Sequence, residues 1–381
     1  MIFIAATGYR QSVRWRCEVP DFQYGSYLST MNQSLGLVQS ITPGEKNNLF
    51  KIKTLGGTRD YYTIIPGKFE VTGAMEYYLQ GCAFLRQAIG EDTASTGDID
   101  SGAKLLYPSA TAGMCKHVMG SANSPGINDF PSFQLEFTDY EDSSVTSDET
   151  KKLNLKRTYV GCRVNRLTLS ANIDEPVKVA VDWLAKRVIV STSDETYSTE
   201  IAQDPFVFYQ GAVYMTTGEA TVGDASGDLA NDQLVLVNNF ELTINNNCEA
   251  VWYICGTTTS YDSIRSAKAI YPKGRDYSLK LGMHYQDREM YERFLGALGA
   301  TADQPTFTKP QIVLDFVRGG EIGSVSSPVS SPDYIRMVAG SVIFDDMAIN
   351  GGPEDIVGND TNVFVKGIKF FVVDNDPDYR T

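Results

Sequence analysis

The chain of 381 residues has 33 Lys and Arg against 47 Asp and Glu, a formal net charge of −14. Proteins that bind nucleic acid rely on Lys and Arg to neutralise phosphates, so this balance argues against a general nucleic-acid binder. It permits a surface that DNA passes without sticking. A hydrophobic content of 42% excludes a disordered chain, and many short runs of β-branched and aromatic residues between Gly, Asn and Pro predict a mainly β protein.

Targeting and metal-binding signals are weak. The opening MIFIAA is too short for a signal sequence, and no apolar run approaches the roughly 18 residues of a membrane span. We therefore expect synthesis in a reducing cytoplasm and no contact with a membrane. Six scattered cysteines without a CxxC pair and only two histidines argue against a zinc site, and the thiols are expected to be reduced and partly buried.

The first segments of the chain predict an arm followed by a hairpin. Residues 1–34 are expected to form an irregular N-terminal arm that is either a flexible end or docks on a neighbour. Residues 35–62 are expected to form a strand, a long turn and a second strand. The turn is placed at ITPGEKNN (41–48) because Pro43, Gly44 and two Asn are typical of a chain reversal.

Residues 68–90 combine a strand with a helix, and residues 277–299 repeat the pattern. In the first copy apolar residues alternate and then recur at helical spacing until Gly90; in the second copy the helix is expected to end at Gly299. Met75–Gly90 and Met283–Gly299 differ by one residue in length, which predicts an internal duplication. The helical positions are Leu79, Cys82, Leu85 and Ile89 in the first copy and Tyr291, Phe294, Leu295 and Leu298 in the second.

The remaining elements also occur in the same order twice. Residues 91–102 read as a loop, 133–137 (FQLEF) as a short strand, 141–152 as a solvated turn, and 159–171 with 176–186 as a hairpin. After a polar boundary at 191–199, strands are expected at 234–244 and 250–255, at 312–316 (IVLDF), and at 338–349 with 363–373. The predicted organisation is an arm (1–34) and two β domains (35–200 and 201–381).

No catalytic, cofactor-binding or metal-binding constellation emerges, so we expect a protein that is not an enzyme. Three adjacent acidic pairs are more typical of solvated loops than of a pocket, and the acidic, Gly-rich segment 218–232 lacks the ligand spacing of an EF-hand. His117, expected in a loop, and His284, expected at the end of a strand, have no nucleophile-elbow sequence beside them. The acidic pairs are Glu141–Asp142, Asp345–Asp346 and Glu354–Asp355.

Several segments together resemble the tail tube proteins of long-tailed, siphovirus-like phages and related tailed viruses. The likeness extends from about residue 57 to residue 373 and consists of β segments and turns, without an invariant chemical motif. The segments that carry it are TRDYYTIIPGKFEVTGAMEYYLQ (58–80), YVGCRVNRLTLSANIDEPVKVAVDW (159–183), QDPFVFYQGAVYM (203–215), LVNNFELTINNN (236–247), SVIFDDMAINGG (341–352) and VFVKGIKFFVV (363–373).

The resemblance implies two tandem tail-tube-type β-sandwich or barrel folds, each flanked by a short α-helix, with long loops. It further implies trimeric, pseudo-sixfold rings that stack into a hollow tube with an electronegative lumen for genome ejection, with the long turns 41–62 and 245–264 reaching the adjacent ring. The implied partners are the chain itself, the tail terminator, the tail tip or initiator and the tape measure protein. Viral DNA would pass without sequence-specific binding, and the implied location is the virion tail.

Two other classes stay open at this point. A β-sandwich that binds carbohydrate or decorates a virion or cell surface would be a stable monomer. A β-rich hydrolase would need a deep pocket that holds one of the carboxylate pairs.

Overall fold

The computed structural model describes residues 11–18, 24–28, 31, 33–55, 59–90, 92–96, 115–120, 131–140, 153–191, 204–216, 233–253, 264–284, 288–318, 333–350 and 358–374. They form a mainly β protein with two short α-helices, as the sequence predicts. The strands of the N-terminal half are β1 (Gln11–Glu18), β2 (Gln33–Ser34), β3 (Val38–Ile52), β4 (Thr63–Tyr78), β5 (Asp92–Thr96), β6 (Cys115–Gly120), β7 (Ser132–Tyr140), β8 (Leu153–Asn172), β9 (Lys178–Ala185) and β10 (Arg187–Ser191). The strands of the C-terminal half are β11 (Gly211–Met215), β12 (Gln233–Val235), β13 (Val237–Asn245), β14 (Glu249–Val251), β15 (Ala269–Tyr271), β16 (Asp276–His284), β17 (Ile312–Arg318), β18 (Asp333–Asn350) and β19 (Gly358–Asp374). The helices are α1 (Arg86–Ile89), which follows a 3-10 turn at Ala83–Leu85, and α2 (Glu289–Leu295).

Eight of these strands form one antiparallel sheet across both halves of the chain. Its order is β3–β4–β9–β8–β13–β16–β19–β18. Side chains alternate between a buried face and a solvent-facing face, as the clear alternation in β9 shows: Val179, Val181 and Trp183 are buried, whereas Ala180 and Asp182 are exposed. The contact between β8 and β13, which we call the seam, joins the two halves.

Smaller groups of strands cover the apolar face of this sheet. In the first half β1 lies between β2 and β7, and β7 and β10 flank the first part of β8. In the second half β11 lies between β12 and β17, and the ladder continues through the first part of β18 and the end of β19 to β6 and β5. The long strands pass from one layer to the other at Gly161 and Ser341, whose φ angles are 67° and 52°.

The two halves share their irregularities as well as their strand order. The β3–β4 ladder shifts register between Val38 and Ser40, and the β13–β16 ladder shifts between Val237 and Asn239. Likewise, the β8–β9 ladder shifts between Val164 and Arg166, and the β18–β19 ladder shifts between Phe344 and Asp346. Since bulges interrupt a ladder at defined positions, they mark equivalent places in β3 and β13 and in β8 and β18.

This register corrects the correspondence expected from sequence. Met75 pairs with Ile41, three residues after Val38, and Leu281 pairs with Phe240, three residues after Val237. Met75 therefore corresponds to Leu281, and Met283 corresponds to Tyr77, so the match of Met75 with Met283 was wrong by two residues. A shift of two keeps every side chain on its own face of the sheet, which is why the alternation looked the same.

Both helices are shorter than predicted. Leu79 and Cys82 precede α1 and are nevertheless buried with Leu85 and Ile89 in the core, and Gly90 ends the helix as expected. The second helix ends at Gly296, whose φ of 128° stops it, and not at Gly299. Tyr291 and Leu298 are exposed, so the apolar stripe of α2 is narrower than the sequence pattern indicated.

The end of α1 is held by residues of the other half. The side-chain amide of Asn246 donates to the carbonyl of Ala88 (3.0 Å), and the guanidinium of Arg275 donates to the carbonyl of Ile89 (2.8 Å). Carbonyls at a helix C-terminus have no partner within the helix, and cations there are favourable. These bonds tie the first strand–helix unit to the second half of the chain.

Four expectations for segments outside the main predicted strands were wrong. Residues 11–18, expected in an irregular arm, form β1, which pairs along the length of β7. The segment 41–48, expected to turn, lies inside β3, whose hydrogen-bonded pairing with β4 overrides the local preference of Pro43 and Gly44. Residues 92–96, expected in a loop, form β5, and His117, also expected in a loop, lies in β6. The segments 141–152 and 192–199 lie outside the described residues.

Candidate assembly surfaces

The eight-stranded sheet ends in two edges that have no partner strand within the described part of the chain. At one edge β3 pairs with β4 on a single side, and at the other the second half of β18 pairs with β19 on a single side. A hydrogen bond from the amide of Val342 to the carbonyl of Pro310 (2.9 Å) marks where the free edge of β18 begins. Such an edge presents backbone N–H and C=O groups with which a further strand can pair.

Apolar side chains along these edges are exposed, whereas their counterparts at the seam are buried. Ile349 of β18 is 44% exposed, but Leu169, at the same place in β8, is 0% exposed. Ile41 of β3 is half-buried, and Phe240, its counterpart in β13, is buried. The difference arises because β8 and β13 cover each other. The two free edges are therefore surfaces from which a neighbour would remove apolar area.

The hairpin of β3 and β4 ends in an exposed apolar group that we call the apolar tip. Phe50, which pairs with Ile65, is 64% exposed, and Tyr62 is 76% exposed. A cluster of exposed aromatic and aliphatic side chains of this size is typical of a protein contact surface. The apolar tip consists of Leu49, Phe50, Ile52, Leu55, Tyr61, Tyr62, Ile64 and Ile65.

The second long turn packs against the base of this hairpin. The carbonyl of Arg265 accepts a hydrogen bond from the amide of Phe69 (2.8 Å), and its guanidinium donates to the carbonyl of Gly67 (2.7 Å). Lys68 lies over the indole of Trp252, 4.5 Å from the ring centroid. Trp252 and Arg265, which flank the undescribed part of the second predicted turn, thus lie beside the β3–β4 hairpin, which occupies the place of the first predicted turn.

A cavity of about 940 Å³ lies at the opposite end of the sheet. β4 runs from Thr63, beside the apolar tip, to Tyr78, which pairs with Lys178, and Lys178 pairs with Ser170. The cavity begins at the next residue of β8. Its lining is mostly apolar and aromatic and includes Ala171, Phe208, Tyr209, Val213, Phe240 and Phe316. Apolar surfaces therefore occupy both ends of the sheet.

The solvent-facing side of the sheet is polar and carries charges of both signs. Glu241 and Lys280 lie side by side on it, 3.6 Å apart. Their mixture gives this side little net charge. Among the described residues, those with charged side chains on this side include Glu70, Glu76, Asp182, Glu241, Asp276 and Asp346, which are acidic, and Lys46, Arg166, Lys178, Lys280 and Lys366, which are basic.

Among the described residues, the sequence candidates do not come together into a reactive site. Asp345 and Asp346 are both exposed at the irregularity of β18. The pairs at 141–142 and 354–355 and the segment 218–232 lie outside the described residues. Within the described ranges, no group of three or more His, Cys, Asp or Glu side chains could hold a metal ion.

The histidines and thiols occupy structural positions. His117 is buried in β6 with its Nε2 3.8 Å from a carboxylate oxygen of Asp374, and His284 ends β16 at the wall of the cavity. Cys82 and Cys162 are buried and unbridged, and burial raises the pKa of both thiols well above the ordinary value. A thiol held in its protonated form is a poor nucleophile.

Sequence reasoning missed the two free edges. Whether a strand is at an edge depends on a distant partner, so periodicity does not reveal it. One local signal was present, because Pro43 lacks an N–H and proline within a strand is confined to edges and bulges. In the sequence analysis the same proline was interpreted as part of a turn at 41–48.

No helix among the described residues is long and apolar enough to cross a membrane.

Comparisons with known proteins identify the family. No curated protein matches the chain. A family model for phage tail tube proteins matches residues 24–363, which include both edges, the apolar tip and the seam. The chain therefore belongs to the phage tail tube protein family and has a structural role in the tail tube.

Proposed function

We propose that three copies of this chain close into a ring, that rings stack head to tail, and that the resulting tube conducts viral DNA during ejection. The observation that carries this proposal is the open eight-stranded sheet, in which one four-stranded pairing scheme occurs twice and leaves one edge free at each side. Two tandem tail-tube units, with boundaries near residue 200, account for that repetition. Three chains then supply six similar units.

Closure into a ring fits the physical state of the edges. A long free edge is a hazard for a monomer because it pairs with other chains, and closing the sheet on itself removes it. Each chain contributes one β3 edge and one β18 edge, so the contact is heterologous and can repeat around an axis. The number three follows from the resemblance to duplicated members of the family.

Stacking fits the two ends of the sheet. The apolar tip projects at one end, and the apolar cavity opens at the other. A head-to-tail contact between such surfaces does not close by itself, and it produces a filament when each ring is rotated on the next. The long turn around Arg265 would reach the adjacent ring together with the tip.

An electronegative lumen, as predicted from the resemblance, would require acidic side chains from parts of the chain outside this sheet. The solvent-facing side of the sheet, which would line the ring, has acidic and basic residues in nearly equal numbers. A nearly neutral wall gives DNA phosphates little net attraction, which suits a conduit that DNA slides through. The net charge of −14 must therefore lie mainly on other parts of the chain.

The expected partners follow from this role. The chain would bind itself within and between rings, the tail terminator and the tail tip or initiator at the ends, and the tape measure protein within the tube during assembly. It would be made in the host cytoplasm and reside in the virion tail. We expect no enzymatic activity.

Electron microscopy of the purified chain, alone and with a tail-tip initiator, tests the proposal. The expected result is uniform hollow rods whose end-on averages have six similar lobes and true threefold symmetry. Globular monomers under all conditions would contradict it. If such monomers bound members of a glycan array through the aromatic-lined cavity, the carbohydrate-binding alternative would replace the tube.

A further inference from the structure

We infer that the free edge of β18 in one copy pairs with β3 of the next copy in the register of the seam between β8 and β13. The inference rests on the proposed ring and adds the contact that closes it, residue by residue. Within one chain the second unit already joins the first through β13 and β8. The free edges are the same two strands of the repeat, β3 in place of β13 and β18 in place of β8.

The shared bulges determine which residues correspond. Asp346 follows the irregularity of β18 as Arg166 follows that of β8, and both pair with the equivalent residues Asn362 and Asp182. On the other strand, Ser40 follows the irregularity of β3 as Asn239 follows that of β13. With both strands aligned, the five seam pairs from Glu241–Ser170 to Asn245–Arg166 have counterparts among the described residues of β3 and β18.

The transferred register places opposite charges together. At the seam Asn245 pairs with Arg166, Thr243 with Thr168 and Leu242 with Leu169. The corresponding pairs between copies are Lys46 with Asp346, Gly44 with Ala348, and Pro43 with Ile349. Lys46 and Asp346 are both exposed in the single chain and lie on the solvent-facing side of the sheet. Opposite charges in directly opposed cross-strand positions stabilise a pairing and help to specify its register.

The same register covers the apolar edge residues on the core side. Leu242 and Leu169 are 1% and 0% exposed at the seam. Their counterparts Pro43 and Ile349 are half-buried and exposed, respectively, so each would gain the cover that the leucines have. Pro43 removes one N–H donor from the ladders of β3. One backbone hydrogen bond is therefore missing at Pro43, either in the contact between copies or in the β3–β4 ladder.

Paired cysteines test the register. At the seam the hydroxyl oxygens of Thr168 and Thr243 are 3.2 Å apart, so their side chains touch. Gly44→Cys combined with Ala348→Cys places thiols at the matching positions between copies. A Cβ on Gly44 would meet only the Thr72 side chain closely, at 2.9 Å from its hydroxyl. Lys46→Cys with Asp346→Cys is a second pair at the next position on the same face. Thr168→Cys with Thr243→Cys gives an internal control within one chain.

Mild oxidation of assembled material followed by denaturing, non-reducing electrophoresis supplies the readout. Both matched pairs should convert monomers into covalent dimers and trimers, while the parent chain and each single variant stay monomeric. Thr42→Cys with Asp346→Cys is the offset control, since four residues along a strand separate its thiols by about 13 Å. Tubes that form but cross-link best through the offset pair, or through neither matched pair, would overturn this register and leave the tube intact. Absence of any assembly in the parent chain would overturn the tube and this contact together.

Discussion

Gly161 and Ser341 occupy the same place in the two long strands, three residues before the irregularity of each, and both have positive φ angles. This is where β8 and β18 leave one layer of the sandwich and enter the other. A left-handed backbone costs an L-residue about 1–2 kcal/mol relative to the right-handed form, and glycine avoids that cost. In β8 this conformation falls on a glycine, which adopts it without strain, and in β18 it falls on a serine, which is strained.

Exchanging these residue types should therefore have opposite effects. Gly161→Ala adds the backbone strain and brings a Cβ within 2.9 Å of the Lys186 Cβ, so the free energy of unfolding should fall by about 1–3 kcal/mol. Ser341→Gly should raise the free energy of unfolding by up to about 1 kcal/mol, because it relieves backbone strain in the folded chain. The gain is limited because glycine also increases the conformational entropy of the unfolded chain. Urea unfolding of unassembled chains measures both changes. Gly274→Ala, which has open space around it, should be nearly neutral, and equal losses for all three variants would contradict the strain argument.

The 3-10 turn before α1 and the helix α2 should differ in their tolerance of a buried charge. Leu85 is 0% exposed, whereas Leu295 is only half-buried. Leu85→Asp places an unpaired charge in the core and should cost several kcal/mol, enough to prevent folding of the first unit and assembly. Leu295→Asp should be milder, because the carboxylate can reach water. Soluble yield and resistance to proteolysis compare the variants.

Leu85→Ala provides the graded version of that test. It removes buried methyl groups without adding charge and should cost about 2–5 kcal/mol. Normal tubes from Leu85→Asp would show that the 3-10 turn before α1 does not pack as described.

Local sequence patterns predicted several strands correctly, whereas other strands depend on pairing with distant parts of the chain. The β8–β9 hairpin and the short strands β7 and β17 were predicted correctly, because alternation over five to ten residues is a local signal. The segment 41–48 was predicted wrongly, because turn chemistry is also local and the β4 ladder outweighed it. β5 pairs with β6, which in turn pairs with β19 more than 200 residues away, and no local pattern contains that information.

The candidate surfaces show the same division. The repeated order of strands could be predicted from the sequence, but the register of the repeat could not, since only the bulges in the ladders show that Met283 corresponds to Tyr77. Exposure of Ile349 and burial of Leu169 likewise depend on which strand has a neighbour. Sequence treats the two positions alike.

Glu18 should give the fold a distinctive pH dependence. Its carboxylate is buried and accepts hydrogen bonds from the Ser132 hydroxyl and from the amides of Gly25 (3.1 Å) and Gly161 (2.8 Å). Burial raises its pKa, and these hydrogen bonds offset the rise only in part. The folded chain therefore binds the proton more tightly than the unfolded chain, so this contribution to stability is complete below the unfolded pKa and is lost as the pH rises through the folded one.

Glu18→Gln removes that titration. The stability of the parent chain relative to this variant should increase as the pH falls from neutrality towards the ordinary Glu pKa, measured by urea unfolding at several pH values. Glu175→Gln is the matched control of opposite sign. The pKa of Glu175 is lowered by hydrogen bonds from Asn172 and Lys178, so its contribution is lost as the pH falls. A parallel response of the two variants would refute the role given to Glu18.

The apolar tip should govern stacking without governing the fold. Phe50 and Tyr62 are mostly exposed and lie beyond the core, so Phe50→Ser combined with Tyr62→Ser should change the free energy of unfolding by less than about 0.5 kcal/mol. The contact between rings would lose its aromatic anchors, which carry much of the energy of such interfaces. Electron microscopy and sedimentation should then show single rings or short stacks in place of long tubes.

Phe364→Ser is the control for the double variant at the apolar tip, because Phe364 is 57% exposed on the solvent-facing side of the sheet, away from the tip. This substitution should leave tube length unchanged. Long tubes from the Phe50 and Tyr62 double variant would place the stacking contact elsewhere on the chain.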